Sequence, residues 1–390
     1  MVEMRKTFPV LSICIPTLGG GDRIEEGIQR ILSYSGDDIE IIISDNDKTS
    51  NLKNIFDKLG DKRVKYYFND YNYGPCYNWI KVLTYGTGKY LLTLNDNDWL
   101  IAENIPELLC FLRDEEASVI VSCPPWTGKV RYTKGVSNGY SCTGIETHPS
   151  CFILKREKFC EITHVIDVKD MVTAYVQCTL ALICSMNDRV CINRKIPVFE
   201  MPDKDYYISH IPRATNGIPK AKGGFYYTPA GAFEMFKGYI EVYKCFAKDK
   251  TVNRAIPYLY RAQLKRATIE YRNFSCNDMM TMRYKLPYRT DIDINKERKD
   301  FYKIVKEWLS KEQYGFKVCL IVWLFTVRDK WKTDFDIFLF KNISPAHHCR
   351  QSENNGNRVH NPAFRQKRTN KVKHISVQIE EKRTSPPRCK

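Results

Sequence analysis

An apolar run that ends in two carboxylates, residues 89–101, constrains the fold of this chain more than any other stretch. Residues 90–94 have the length and apolar character of a strand that is covered on both faces. Asp96 and Asp98 follow this strand directly, and open α/β sheets bind ligands at the carboxyl ends of their strands. The Asp-x-Asp spacing suits a divalent cation, although an isolated Asp-x-Asp is more often a turn that bonds its own backbone.

The composition is that of a folded chain with a strong positive charge. With 390 residues, of which 43% are hydrophobic and 13% aromatic, the chain can bury a large core. The formal net charge of +16 indicates an anionic partner, such as a nucleotide, a nucleic acid or an acidic membrane surface. The fifteen cysteines lie without paired metal spacing and follow no signal-peptide pattern. We therefore expect reduced thiols in a cytoplasmic protein.

Strands and helices alternate in the amino-terminal part of the chain. We predict strands at 10–15, 39–43, 64–68 and 90–94, with helices at 24–32, 51–59 and 76–84 between them. The first strand leads into a glycine-rich loop, 16–22, and the second delivers another carboxylate, Asp45. This βαβαβαβ order predicts an α/β fold with a mostly parallel, Rossmann-like central sheet flanked by helices.

Four segments together resemble family 2 glycosyltransferases with the GT-A fold, such as those that build bacterial cell-surface polysaccharides. The segments are Ser12-Ile13-Cys14-Ile15-Pro16-Thr17, Glu40-Ile41-Ile42-Ile43-Ser44-Asp45-Asn46, Asn72-Tyr73-Gly74 with Asn78-Trp79, and Gly88-Lys89-Tyr90 leading to Asp96-Asn97-Asp98. They occur in the order and at the spacing of the family, over residues 8–200.

The resemblance implies a nucleotide-sugar site at the ends of these strands. Five residues would bind the donor: Pro16, Thr17, Asp45, Asn78 and Asp96. Among them, Asp45 falls where the family contacts the nucleotide base, and Asp96 where it contacts the ribose or diphosphate. Many members of the family read Pro-Thr-Tyr-Asn-Arg in the first loop, whereas this chain has three glycines, 19–21. The sequence therefore indicates the fold more clearly than the identity of the donor nucleotide.

The same resemblance implies a metal cofactor. Asp98, with Asp96 beside it, would hold a divalent cation, Mg²⁺ or Mn²⁺, and a UDP-sugar is the first candidate for the donor. Without the other segments, Asp45 is as typical of a turn after a strand as of a base contact, and the Asp-x-Asp is more typical of a turn. Their occurrence together favours the donor and metal site.

The catalytic base and the acceptor site are expected in the following part of the chain. After a strand at 119–123, residues 124–141 predict a long polar loop of the kind that binds acceptors. The loop 144–149 is a second candidate for the acceptor site through His148, although a loop histidine is more often an ordinary surface group. The family places an acidic residue ahead of the apolar helix 178–184 to deprotonate the acceptor hydroxyl. Asp170 is the first choice and Asp167 the second, although an aspartate here is equally typical of a helix cap.

We predict three regions: a GT-A nucleotide-sugar-binding and catalytic domain (1–205), a basic helical region (206–350) and a disordered basic tail (351–390). The helix at 258–274 carries basic residues among apolar ones, so it either packs on the core or binds a membrane surface. The most apolar run, 316–327, is too short to cross a bilayer. It either lies in an anionic membrane interface, with Arg328, Lys330 and Lys332 on the headgroups, or docks on its own domain.

These features predict a metal-dependent, inverting, hexosyltransferase-like glycosyltransferase. It would move a sugar from a nucleotide-sugar to a hydroxyl of a growing cell-surface or lipid-linked glycan, in the cytoplasm or at the inner face of the cell membrane. Two alternatives remain open: a nucleotidyltransferase of similar fold, and a basic scaffold or nucleic-acid-binding protein with a vestigial transferase site. The basic tail lacks interleaved aromatic residues for base stacking, which argues against nucleic acid as a partner.

Overall fold

Apolar strands form an eight-stranded sheet at the centre of the computed structural model, which describes residues 8–20, 22–72, 74–124, 126–164, 175–201, 229–276 and 294–343. The strands of this sheet are β1 (Leu11–Thr17), β2 (Ile39–Asp45), β3 (Val64–Phe68), β4 (Tyr90–Thr93), β6 (Val119–Ser122), β7 (Lys129–Lys134), β8 (Phe152–Lys155) and β9 (Arg189–Arg194). A second, two-stranded antiparallel sheet pairs β5 (Trp99–Leu100) with β10 (Phe199–Glu200).

Helices cover the central sheet, and further helices follow it in the chain. Those of the sheet region are α1 (Asp22–Leu32), α2 (Leu52–Leu59), α3 (Pro75–Thr84), α4 (Ile105–Asp114), α5 (Asn138–Gly144), α6 (Arg156–Thr163) and α7 (Val176–Cys184). The later ones are α8 (Pro229–Phe246), α9 (Asp249–Cys276), α10 (Ile294–Lys311) and α11 (Phe316–Ile343).

The strand order of the large sheet is β3-β2-β1-β4-β8-β6-β9-β7. The first four strands are parallel, as the alternation of strands and helices predicts. Strand β8 runs antiparallel to both of its neighbours, and β7 runs antiparallel to β9. Six of the eight strands therefore point in one direction, which confirms an α/β fold with a mostly parallel sheet and adds two reversed strands that the sequence did not reveal.

The prediction of a long loop at 124–141 is wrong, because this stretch contains β7 and the start of α5. Strand β7 lies at the edge of the sheet, so its exposed residues are polar and it lacks the apolar run of an inner strand. Helix α5 carries glycine where α9 packs closely against it. A Cβ atom on Gly144 would lie 2.7 Å from the Cβ of Ala262, so this contact requires glycine.

The helical region packs its apolar faces together. Phe236 of α8 contacts the rings of Tyr260 (α9) and Trp308 (α10), and Tyr260 stacks on Phe301. The helix predicted at 258–274 is part of α9, and the apolar run 316–327 begins α11. No helix in the described part of the chain combines the length and hydropathy needed to span a bilayer. The domain boundaries predicted at 205 and 350, and the tail 351–390, lie outside the described residues and stay predictions.

A buried carboxylate ties together the amino-terminal halves of the strands in the parallel part of the sheet. Glu40 of β2 accepts hydrogen bonds from the hydroxyl of Ser12 (β1), from the backbone and side chain of Thr87 ahead of β4, and from Lys65 of β3 at 2.6 Å. Burial alone would raise the pKa of Glu40, but these donors outweigh it and hold the pKa below its ordinary value of 4.5. The charged form of Glu40 therefore stabilises the fold.

The substitution Glu40→Gln tests this tie. A carboxylate whose pKa is lowered by folding stabilises the folded state at pH values above its ordinary pKa. This contribution is lost as the pH falls through the folded-state pKa. We expect Glu40→Gln to lower the free energy of unfolding at pH 7 by about 1–3 kcal/mol and to reduce its decline towards acid pH. Urea unfolding at several pH values between 7 and the acid range measures both effects. The exposed Glu103→Gln is the matched control; equal behaviour of the two variants would contradict the assignment.

Candidate active site

The carboxyl ends of β1, β2 and β4 bring the predicted donor-binding residues to one edge of the sheet. Thr17 ends β1 in register with Asp45 at the end of β2, and Asp96 follows β4. The Thr17 hydroxyl donates a hydrogen bond of 2.8 Å to Oδ2 of Asp96. The structure thus assembles the end of β1, the end of β2 and the Asp-x-Asp turn into one polar site.

Asp45 holds the glycine-rich loop in place. Its buried carboxylate accepts hydrogen bonds from the amides of Gly19 and Asp47, both at 2.9 Å, and from the hydroxyl of Tyr66 at 3.0 Å. Burial and the Asp45 charge raise the pKa of Tyr66 to about 12, so its hydroxyl stays a donor. Gly19 has a φ of 79°, a left-handed conformation that glycine adopts without strain. The predicted contact of Asp45 with the nucleotide base stays a prediction.

Asn78 joins the ends of β1 and β2 from helix α3. Its amide donates to the backbone carbonyls of Thr17 and Ser44, and its carbonyl accepts from the Ser44 hydroxyl and from the amide of Asn69. These four bonds use its whole hydrogen-bonding capacity. In this arrangement Asn78 positions the strand ends. That Asn78 and Pro16, which lies in β1, contact the nucleotide-sugar donor directly stays a prediction.

Asn69 was missed by the sequence analysis. It follows β3, is buried, and donates to Asn46 and Ser44 as well as to Asn78. Its position at the end of a strand, where Asp45 also lies, is the signal that would have found it.

Asp96 is an unusually weak acid at the edge of the sheet. Burial, with the charge of Asp98 nearby, raises the pKa of Asp96 to about 6, despite the hydrogen bond from Thr17. A cation close to this carboxyl group would favour its charged form. A cation bound beside Asp96 would therefore lower this pKa.

Asp98 is fully buried, and two residues that lie shortly before β8 hold its carboxylate. Its Oδ2 accepts a hydrogen bond of 2.6 Å from the hydroxyl of Ser150 and contacts Nε2 of His148. The His148 ring also stacks on Phe199, with 5.3 Å between centroids, and its side chain is 17% exposed. The reading of His148 as an ordinary surface group is therefore wrong; a loop histidine carries no sequence pattern that reveals a partner fifty positions earlier.

The Asp-x-Asp turn is held from both sides. The amide of Asn95 donates to Ser150, and the carbonyl of Asn97 accepts from Nε of Arg23 at 3.0 Å. The Trp99 ring beyond the turn lies between two guanidinium groups, with the Arg23 and Arg30 carbons 3.3 and 3.5 Å from its centroid. Helix α1 and the turn are thereby packed together.

The residues at this site fit a cation that is shared with a phosphate ligand. In the described ranges, no three His, Cys, Asp or Glu side chains are grouped so as to hold a metal ion by themselves. Oδ1 of Asp98, however, is buried without a hydrogen-bond partner. Mg²⁺ is commonly bound by one or two carboxylates together with substrate phosphates. Asp98 and Asp96 match that donor set.

The two candidates for the catalytic base are not placed by this structure. Asp167 and Asp170 both lie outside the described residues, between α6 and α7. Their role stays a prediction.

Comparisons with known proteins show that this chain is similar to glycosyltransferases. A curated "GalNAc(5)-diNAcBac-PP-undecaprenol beta-1,3-glucosyltransferase" of Campylobacter jejuni is 30% identical over 119 residues, which are 30% of this chain and 38% of that protein. An uncharacterized glycosyltransferase of Haemophilus influenzae is 31% identical over 109 residues, 27% of this chain and 43% of that one. The chain thus matches about two fifths of the length of these relatives.

A solved structure shares the fold, and a family model covers the site. The crystal structure of S. aureus TarS 1-349 in complex with UDP-GlcNAc superimposes with a TM-score of 0.52 at 12% identity, over 79% of this chain and 82% of that chain. Residues 12–173 match the family model described as glycosyl transferase family 2. This segment contains β1, β2, β4 and the Asp-x-Asp turn, so the part of the chain that forms the candidate site is similar to glycosyl transferase family 2, within a GT-A-like fold.

Proposed function

We propose that this protein transfers a sugar from a nucleotide-sugar donor to a hydroxyl group of a growing glycan. The proposal rests on one observation: four polar residues lie together at the carboxyl edge of the four parallel strands, Thr17, Asp45, Asp96 and Asp98. Ligands of open α/β sheets bind at this edge. The match of residues 12–173 to the family 2 model supports the same reaction class.

The donor would lie across the ends of β1, β2 and β4. A nucleotide would lie against the loop that Asp45 and the Thr17 hydroxyl hold through the amides of Gly19 and Gly20. Asp45 would contact the base and Asp96 the ribose or diphosphate. A UDP-sugar is the first donor to test.

A divalent cation, when bound, would neutralise the charge that develops on the leaving diphosphate. Asp98 would hold it through Oδ1, with Asp96 beside it and the donor's phosphates completing the coordination. His148 and Ser150 hold Oδ2 of Asp98, so they would fix the direction in which Oδ1 points.

The transfer would be an inverting single displacement at the anomeric carbon. A carboxylate would take the proton of the acceptor hydroxyl as the new bond forms, and Asp170 is the first candidate, with Asp167 the second. The acceptor would be a cell-surface or lipid-linked glycan, as the name of the Campylobacter relative suggests for that protein. We place the reaction in the cytoplasm, at the inner face of the cell membrane.

The substitution Asp98→Asn tests the proposed function. With a panel of nucleotide-sugars, Mn²⁺ or Mg²⁺ and a lipid-linked acceptor, we expect a glycosylated product of inverted anomeric configuration. Asp98→Asn should reduce kcat/KM by about 100-fold or more, because the charge on the diphosphate would lose its stabilisation. Radiolabelled sugar transfer and NMR of the product measure both results.

The exposed Asp114→Asn is the control, since it makes the same chemical change away from the site. Release of pyrophosphate with retention of the nucleotide in the product would identify a nucleotidyltransferase instead. Unchanged transfer by Asp98→Asn would refute the metal assignment.

A second test concerns the residues that hold Asp98. Ser150→Ala and His148→Gln should each raise the Mn²⁺ concentration needed for half-maximal activity by about 10- to 100-fold, while activity recovers at saturating Mn²⁺. Titration of the transfer rate with Mn²⁺ separates this effect from a loss of folded protein, which added metal would not restore. His164→Gln, at an exposed histidine after α6, is the matched control. A loss of activity that saturating metal leaves unchanged would argue against this positioning role.

A further inference from the structure

Helix α11 packs on its neighbours through one face. Val322 is buried, and the Thr326 hydroxyl is 2.7 Å from the hydroxyl of Tyr260 in α9. One turn further, Asp329 accepts a hydrogen bond of 3.1 Å from Nε of Arg298 in α10. Because residues three and four apart share a face of a helix, these contacts fix the rotation of α11 over residues 316–330.

The opposite face of this helix is apolar and exposed. Four side chains form what we call the apolar stripe: Phe316 (81% exposed), Leu320 (39%), Trp323 (47%) and Leu324 (49%). Their spacing of three, four and eight residues places them together, away from Val322 and Thr326. No side chain of the described residues buries this stripe. A surface helix normally carries polar residues on its outer face, so α11 departs from the usual pattern.

Positive charges border the stripe on both sides. At 3.6 residues per turn, Lys317 and Arg328 lie next to Leu324, and Lys330 lies next to Trp323 on the other border. The one acidic residue between 316 and 330 is Asp329, and it is on the packed face, paired with Arg298. The exposed face therefore combines apolar side chains with cations and has no negative charge.

We propose that the apolar stripe is a membrane-docking surface that lies in the headgroup region of an anionic bilayer. Apolar side chains would enter the interface, a tryptophan would sit at headgroup level, and the three bordering cations would contact lipid phosphates. A second copy of the chain fits less well, since a two-fold contact through this face would bring the bordering cations of both copies close together. The inference deepens the proposed function, because a lipid-linked acceptor requires the enzyme at the bilayer surface.

Flotation of the full chain with lipid vesicles tests this surface without measuring transfer. We expect the protein to float with vesicles of phosphatidylcholine mixed with phosphatidylglycerol and to bind pure phosphatidylcholine vesicles at least about tenfold more weakly. Trp323→Gln/Leu324→Gln and Lys317→Glu/Arg328→Glu should each lower binding to the anionic vesicles by about tenfold or more. The side chains changed are all exposed, and circular dichroism checks that each variant is folded.

The control for charge is Lys58→Glu/Lys62→Glu, which makes the same change in net charge near β3 and should leave binding within about twofold of the unchanged protein. Absence of flotation, or equal loss in the control, would overturn the proposal. So would a dimer in light scattering that Trp323→Gln/Leu324→Gln dissociates, because a second copy would then cover the stripe. Transfer to a water-soluble acceptor by these variants reports on the proposed function separately.

Discussion

The direction and register of the parallel strands are the constraint on which the rest of this structure depends. Once β1, β2 and β4 are buried side by side, their polar residues can lie only where the strands end. The pairing of Thr17 with Asp45, and of Cys14 with Thr93, brings both carboxylate-bearing ends to one edge. At the other end, Glu40 links four segments of the same sheet, so charged groups fix both ends of an apolar core.

Much of this arrangement was predictable, because it follows from local patterns. Apolar runs of strand length that alternate with helical periodicity identify β1 to β4 along the chain. Carboxylates at or just past the strand ends mark Asp45, Asp96 and Asp98 as candidate site residues. The site residues that could be predicted are therefore those that lie at the ends of the parallel strands.

The remainder depends on contacts between distant segments. Strand β7 is polar because it lies at an edge, and α5 carries glycines where α9 lies against it, so neither has the pattern of an isolated strand or helix. His148 and Ser150 matter because they contact Asp98, and Asn69 because it donates to Asn78. The residue types at these positions do not reveal their partners. The reversed direction of β8 likewise follows from chain path rather than from strand composition.

The Trp99 ring between Arg23 and Arg30 also limits how the site can adapt to a ligand. The loop between β1 and α1 is anchored at one end by the Thr17–Asp96 bond and at the other by Arg23 on the Asn97 carbonyl. Helix α1 and the Asp-x-Asp turn must then shift as one body. Between these anchors the amides of Gly19 and Gly20 donate to Asp45 and to the Thr17 hydroxyl, so the loop would meet a nucleotide as a fixed surface, and selection among nucleotides would not depend on its bending.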